Sequence, residues 1–350
     1  MNNNLFSALI FTDVRETAFD ASDRPLGTRE ICGLPMAEWV HRACLDAGAR
    51  EIFVTDSPDS AEAEAWLLKQ TDKVLVLPAA IPLITPKELT YLVNRESGRI
   101  TLTREDDVFY ITDGRTFAEA EEQLRRRVLN GHLEKGVIIR IPETVIIGPD
   151  AVIGCGTVIE QGCTLLGKTV IGKDCTVGAY SRLTDTVVED GVHILYSVLD
   201  RATVGAGTTV GPFAYLRPQS NIGAGVRIGD FVEIKNANIG DGTKVSHLTY
   251  VGDSDVGKNV NFGCGTVTAN YDGKHKHRTQ IGDGAFIGCN TNLIAPITVG
   301  RGALTAAGST LTESVPDGAL AIARERQTNK LKRSPFGTDQ ICTRKQEEEK

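Results

Sequence analysis

The sequence predicts a parallel β-helix of six-residue repeats preceded by a small α/β unit, and three observations carry that expectation. Aliphatic side chains recur every six residues at Ile147, Ile153, Ile159, Leu165, Ile171, Val177 and Leu183, again at Val204, Val210, Leu216, Ile222, Ile228 and Ile234, and finally at Ile281, Ile287, Leu293 and Val299. Eleven of these seventeen positions are followed by glycine, the residue that most readily turns a tight corner. Ahead of the repeats, apolar runs at 5–11, 51–55 and 73–77 alternate with a helical pattern over 36–49.

Taken along the chain, residues 1–112 read as the α/β domain, its apolar runs as strands. The stretch TFAEAEEQLRRRVLNGHLEKG (116–136) reads as a helix, and 113–136 links the two domains. From 137 to 315 a period of six fits neither a helix nor a plain alternating strand, whereas short strands separated by corners fit it. Three strands close a triangular coil of eighteen residues, and successive coils pair in parallel at roughly 4.8 Å around an aliphatic column. Residues 316–350 form a tail ending in the charged KQEEEK, expected to be disordered.

Composition excludes several classes. A net charge of −7 argues against broad nucleic-acid binding, no apolar stretch approaches the ~20 residues of a membrane span, and the N-terminus lacks a leader pattern. The expected location is cytoplasmic. The eight cysteines (32, 44, 155, 163, 175, 264, 289 and 342) show no CxxC or zinc-type spacing, so they read as free thiols with no metal implied.

Chemistry is expected where the repeat departs from its pattern. The corner glycine gives way to Glu160, Leu166, Thr184, Arg217, Lys235 and Ile294. Arg217 and Lys235 are eighteen residues apart and should stack on one face, a repulsion that either a bound phosphate or a neighbour such as Glu233 would relieve. His247 lies within one coil of Lys235, where a neutral imidazole could serve as a general base or be merely structural. The segment TANYDGKHKHRT (268–279) must leave the coil as a loop, with Asn270, Tyr271 and Lys276 suited to a nucleotide-bearing cofactor, unless it is only a tolerated insertion. Cys289 and Ala307, again eighteen apart, should leave a flat groove beside it.

These residues lie in motifs that closely resemble the C-terminal half of the bacterial bifunctional N-acetylglucosamine-1-phosphate uridyltransferase/glucosamine-1-phosphate acetyltransferase family. GPFAYLRP (211–218), VEIK (232–235), HLTYVGD (247–253), VNFGCGT (260–266), NYDG (270–273) and AIAR (321–324) occur in that family's order. The resemblance implies a left-handed β-helix, homotrimeric assembly and transfer of acetyl from acetyl-CoA to glucosamine 1-phosphate without a metal. His247 would be the base that deprotonates the amine. Arg217, Lys235, Tyr250 and Asn261 would hold the sugar phosphate, and Cys264, Asn270, Tyr271, Cys289, Ala307 and Arg324 would contact acetyl-CoA, with Lys276 on the same loop. One departure is Cys289, where the family commonly has serine; a thiol keeps the size and weakens the hydrogen bond.

The N-terminal domain departs further, at barely half the length of the family's nucleotidyltransferase. The glycine loop LAAGxGTRM is IFTDVRETA (10–18) here, placing Asp13 and Arg15 where backbone amides would approach phosphate. The family's Pro-Lys becomes Pro25-Leu26, and Ala80 stands at its metal-binding aspartate. A truncated, degenerate domain without uridyl transfer is therefore expected. Rival readings are an acetyltransferase for another amino sugar phosphate, a non-catalytic trimeric scaffold or sensor, and a carbonic-anhydrase-like protein, for which His275 and His277 lie in the wrong loop.

Overall fold

The structure, a computed structural model, describes residues 5–15, 17–20, 22, 24–95 and 98–329. The expectation for the KQEEEK tail, and Cys342 with it, lies outside the described residues.

In the N-terminal domain the apolar run at the start of the chain becomes β1 (Phe6–Phe11), followed by α1 (Met36–Asp46), β2 (Glu51–Thr55), α2 (Ala61–Leu67), β3 (Lys73–Pro78), α3 (Pro86–Arg95) and β4 (Arg99–Thr101). The strands form one parallel sheet in the order β2-β1-β3-β4. Ala8 and Ile10 of β1 pack with Val40 and Cys44 of α1 and Leu89 and Val93 of α3, while Leu9 turns to the other face against Ala63 and Trp66 of α2. Both faces are covered, which is why β1 is apolar at every position but Ser7.

α4 (Gly114–Leu133) joins the two domains. Asp113 caps it: the Thr116 N–H donates to Asp113 Oδ1 at 2.8 Å, and the Asp113 N–H donates back to Thr116 Oγ1 at 3.0 Å. Its Ala120 and Leu124 pack into the N-terminal domain and its Leu129 into the first coil, so one helix is shared by two cores. A two-pronged ion pair from Arg42 of α1 to Asp150, at 2.6 and 2.9 Å, adds a second tie.

From Ile138–Ile139 to Leu320–Ala321 short parallel strands stack into three sheets of eleven, ten and nine strands. Each strand turns one side chain inward, and the resulting column includes every one of the seventeen aliphatic positions. Burying such a side chain is worth about 1.5–3 kcal/mol. The stretches between the three runs belong to the same helix. Ile171 pairs with Val188 and Val188 with Val204, so these coils hold seventeen and sixteen residues and the lost residues come out of corners. Corner threonines satisfy backbone groups that side-chain burial cuts off from water: Thr157 Oγ1 donates to the Gly172 carbonyl at 2.8 Å and accepts from the Cys175 N–H at 3.1 Å. One coil is longer. Ser254 pairs with Thr279, and the intervening polar segment leaves the stack as the loop the sequence predicts.

Candidate active site

Register places functional side chains at two edges of one face. Val210, Ile228, Val245, Phe262 and Ile287 pair in succession up the eleven-stranded sheet. Two residues beyond these lies the corner leading to the ten-stranded sheet, and there Asp230, His247, Cys264, Cys289 and Ala307 form a column. Its rungs are closed by the Asn290 N–H donating to the Cys264 carbonyl at 2.7 Å and the Gly308 N–H donating to the Cys289 carbonyl at 2.8 Å. His247 Nδ1 and Asp230 Oδ1 are 2.6 Å apart. The hydrogen bond from His247 holds the Asp230 carboxyl below the usual carboxylate range. With Nδ1 engaged, Nε2 is the nitrogen left to face a substrate. The wall above is shallow, because Ala307 presents only a methyl group and both cysteines reach solvent.

Beside that column runs a second one of large apolar residues, Tyr180, Tyr196, Phe213, Phe231 and Leu248, all in the left-handed backbone region and all exposed. The four rings follow one another at centroid distances of 6.2, 5.9 and 5.5 Å, the outer pairs stacked and the middle pair tilted.

The far edge of the ten-stranded sheet carries the cations. The Arg217 N–H donates to the Ile234 carbonyl at 2.8 Å, which seats Arg217 over Lys235 as the eighteen-residue coil requires. Arg217 Nη1 bonds Glu233 Oε1 at 2.8 Å, and that partner raises the guanidinium's affinity for its proton. Lys276 reaches back from the loop to Lys235, whose pKa is lowered first by that neighbouring amine, then by burial and by Arg217. Three cations therefore converge, two of them without the carboxylate that Arg217 has in Glu233 among the hydrogen bonds and ion pairs of the described residues. An anion with several oxygens would relieve their repulsion.

Asp253 lies beneath this cluster, 4 % exposed. Its Oδ1 accepts from Asn236 Nδ2 at 2.5 Å and its Oδ2 from Asn270 Nδ2. Arg278, at the end of the loop, holds Asp255 through two nitrogens at 2.8 and 2.7 Å and the Ser254 carbonyl at 3.0 Å.

Comparison with known proteins bears on what these coils are. Residues 150–185 and 201–236 match the bacterial transferase hexapeptide (six repeats) family. Those two stretches of the β-helix are similar to transferase hexapeptide repeats. They lie in the parallel β-helix that the six-residue period predicts, whose left hand is what the resemblance implies. Among curated proteins, the chain is 52% identical over 226 residues to the bifunctional protein GlmU of Brevibacillus brevis, covering 65% of this chain and 49% of that protein. It is 54% identical over 224 residues to the GlmU of Clostridium novyi, covering 64% and 49%. The chain thus spans about half the length of the curated relatives it matches.

On the hexapeptide frame the sequence-predicted residues separate into groups. His247, Cys264, Cys289 and Ala307 share the corner column, and the Arg324 side chain comes within 3.9 Å of where a Cβ on Gly308 would stand, beside Ala307. Arg217, Lys235, Tyr250, Asn270 and Lys276 share the opposite edge, with Tyr250 between the two and its hydroxyl 3.5 Å from Asn270 Nδ2. Lys276, expected on the cofactor side, meets the phosphate-type cations instead, because the Tyr271–Lys276 bridge turns the loop back on itself. Tyr271 stands exposed, its hydroxyl spent on the Gly273 carbonyl at 2.7 Å. Asn261 points out from the eleven-stranded sheet, pairing with Lys244 and Phe286, and is not on the face of Tyr250 and Lys235. His247 ends the strand Lys244–His247 and Gly252, the register partner of Lys235, ends the next strand, Tyr250–Gly252, so a corner and a strand separate base and cations.

Sequence reasoning missed Asp230 and Asp253. Asp230 follows a corner glycine, as many surface acids do, and only the seventeen-residue coil brings it level with His247. A search for residues eighteen apart passes over it.

Proposed function

We propose that this chain transfers the acetyl group of acetyl-CoA to the amine of glucosamine 1-phosphate, in the cytoplasm, and that it does not carry out uridyl transfer. The observation that carries the reading is the Asp230–His247 pair, set in a corner column whose upper members are small and face solvent, on hexapeptide coils that are half identical to GlmU proteins. His247 Nε2 takes a proton from the acceptor amine as its nitrogen attacks the thioester carbonyl. The C–N bond forms, the C–S bond breaks, and the proton finally goes to the departing thiolate. Asp230 keeps the Nδ1 proton in place and stabilises the imidazolium, within the 10²–10⁴-fold that a positioned base contributes. Arg217, Lys235 and Lys276 take the sugar phosphate, and the groove along Cys264, Cys289, Ala307 and Arg324 takes the cofactor, with Asn270 and Tyr271 reaching it from the chain that supplies the cations.

In one chain the base stands at one edge of the ten-stranded sheet and the cations at the other, with the strand Tyr250–Gly252 between them. The site is therefore shared between chains of a homotrimer, Asn261 and the base coming from one and the cations from another. The exposed aromatic column beside His247 supplies apolar surface for that interface.

For the N-terminal domain, the four-stranded sheet carries Asp13 and Arg15 paired with each other after β1. Two charged side chains there leave a nucleotide triphosphate no run of bare amides.

Thiol release from acetyl-CoA with glucosamine 1-phosphate tests the proposal, and other amino sugar phosphates in the same assay set the acceptor. His247→Ala should lower kcat by 10²-fold or more. An inactive wild type, or full activity in the mutant, would overturn the assignment. UTP-dependent formation of UDP-N-acetylglucosamine above background would overturn the second half.

A further inference from the structure

Asp253 sits beneath the cation cluster, and its bonds reach both the strand of Lys235 and the loop that breaks the coil. The loop that breaks the coil begins at Asn270 and ends at Thr279. Asp253 holds both ends: its carboxylate accepts from the Asn270 amide, and its backbone carbonyl accepts from the Thr279 N–H at 3.0 Å. Its other carboxylate oxygen accepts from Asn236, the residue after Lys235, and its own N–H donates to the Lys235 carbonyl at 3.0 Å. The carboxylate is buried, so it depends on these two amides, and its charge acts on Lys235 and on Arg278. Asp253 itself has a left-handed backbone, φ 46°, which turns both its carbonyl and its side chain toward the loop.

We propose that Asp253 is a positioning residue that staples the 270–279 loop to the Lys235 strand and thereby couples the acceptor's phosphate subsite to the acetyl-CoA groove. Lys276 can stand against Lys235 only while the base of the loop is held at that strand. An acceptor phosphate that draws the two ammonium groups together favours the closed loop, and the closed loop presents Asn270 and Tyr271 to the cofactor. Each ligand then raises the affinity for the other by the same factor, as linkage requires. The coupling rests on the acetyl-transfer reading; the staple itself does not.

The loop carries its own reporter, because Lys274, Lys276 and Arg278 are tryptic sites. Full-length wild type and Asp253→Asn are digested with limiting trypsin and also assayed for acetyl transfer. Neutral asparagine keeps one bond and sets an amide donor against another, so cutting in the loop should accelerate about tenfold and the KM for acetyl-CoA should rise about tenfold with kcat within threefold. Adding glucosamine 1-phosphate should slow cutting in wild type and not in the variant. The double variant Asp253→Asn/Asn270→Asp exchanges donor and acceptor while preserving both bonds, so it should recover wild-type cutting and rule out general misfolding. Cutting of Asp253→Asn within twofold of wild type, or failure of the exchange to restore it, overturns the staple. A tenfold fall in kcat at unchanged KM overturns the positioning role. Cutting is read without turnover, so an inactive wild type would sink the proposed reaction and leave the staple to stand or fall by the digestion.

Discussion

The closest backbone approach at the candidate base offers a sharp test. Gly229 lies between the inward Ile228 and Asp230, and a Cβ placed on it would be 1.9 Å from the Ser246 carbonyl oxygen and 2.7 Å from its carbon. Ser246 immediately precedes His247, so Gly229→Ala wedges apart the two strands that carry the Asp230–His247 pair. Relief even to the tightest contact a Cβ tolerates, about 3 Å, needs an opening of about 1 Å. Added to the present 2.6 Å, that takes the carboxylate and imidazole to roughly 3.6 Å, beyond hydrogen-bonding range. Overpacking of this kind costs about 1–3 kcal/mol, and a misplacement of about 1 Å at a catalytic group can cost about 10²-fold in rate. Gly178→Ala is the control. Its Cβ would meet the Ile194 carbonyl at 2.8 Å in the same corner, three coils from Gly229 and four from His247, the latter roughly 19 Å away. Both variants should lose a few degrees in Tm by scanning calorimetry, and only Gly229→Ala should lose kcat, by 10-fold to 10²-fold. If Gly229→Ala melts early yet turns over within twofold of wild type, the Asp230–His247 spacing does not control the reaction.

Three further outcomes follow from the geometry. Asp230→Asn keeps an oxygen for Nδ1 and removes the charge facing the imidazolium, so kcat should fall about tenfold with both KM values unchanged, and a rise in KM alone would assign Asp230 to binding instead. Phe231→Asp places a charge in the exposed ring column, where Phe213 lies 5.5 Å away, and sedimentation should show trimer giving way to monomer; an unchanged trimer would locate the interface elsewhere. His132 of α4 is buried, its Nδ1 without a partner, and desolvation lowers its pKa. The unfolded chain therefore takes up this proton first, at about pH 6.5, so the stability that neutral His132 permits is complete above that pH and is lost as pH falls toward the folded pKa. The Tm difference between pH 7.5 and 5.5 should be smaller in His132→Leu than in wild type, and parallel curves would exclude the residue.

The six-residue aliphatic period determined the β-helix from sequence alone, because each coil repeats the same local demand for one inward side chain per strand. It also located the Arg217–Lys235 stack and the loop at 268–279, both visible as interruptions of a regular pattern. Glu233 as the neighbour of Arg217 was legible for the same reason. The tertiary structure decided what depends on coil length. Corners that lose a residue shift the count from eighteen to seventeen or sixteen, and that shift, invisible to a fixed period, brings Asp230 level with His247 and Asp253 level with Asn236. It also decided which face each side chain joins, moving Asn261 away from Tyr250 and Lys276 onto Lys235. A period tells which side chains point inward; only the stacking of unequal coils sets which of the outward ones meet.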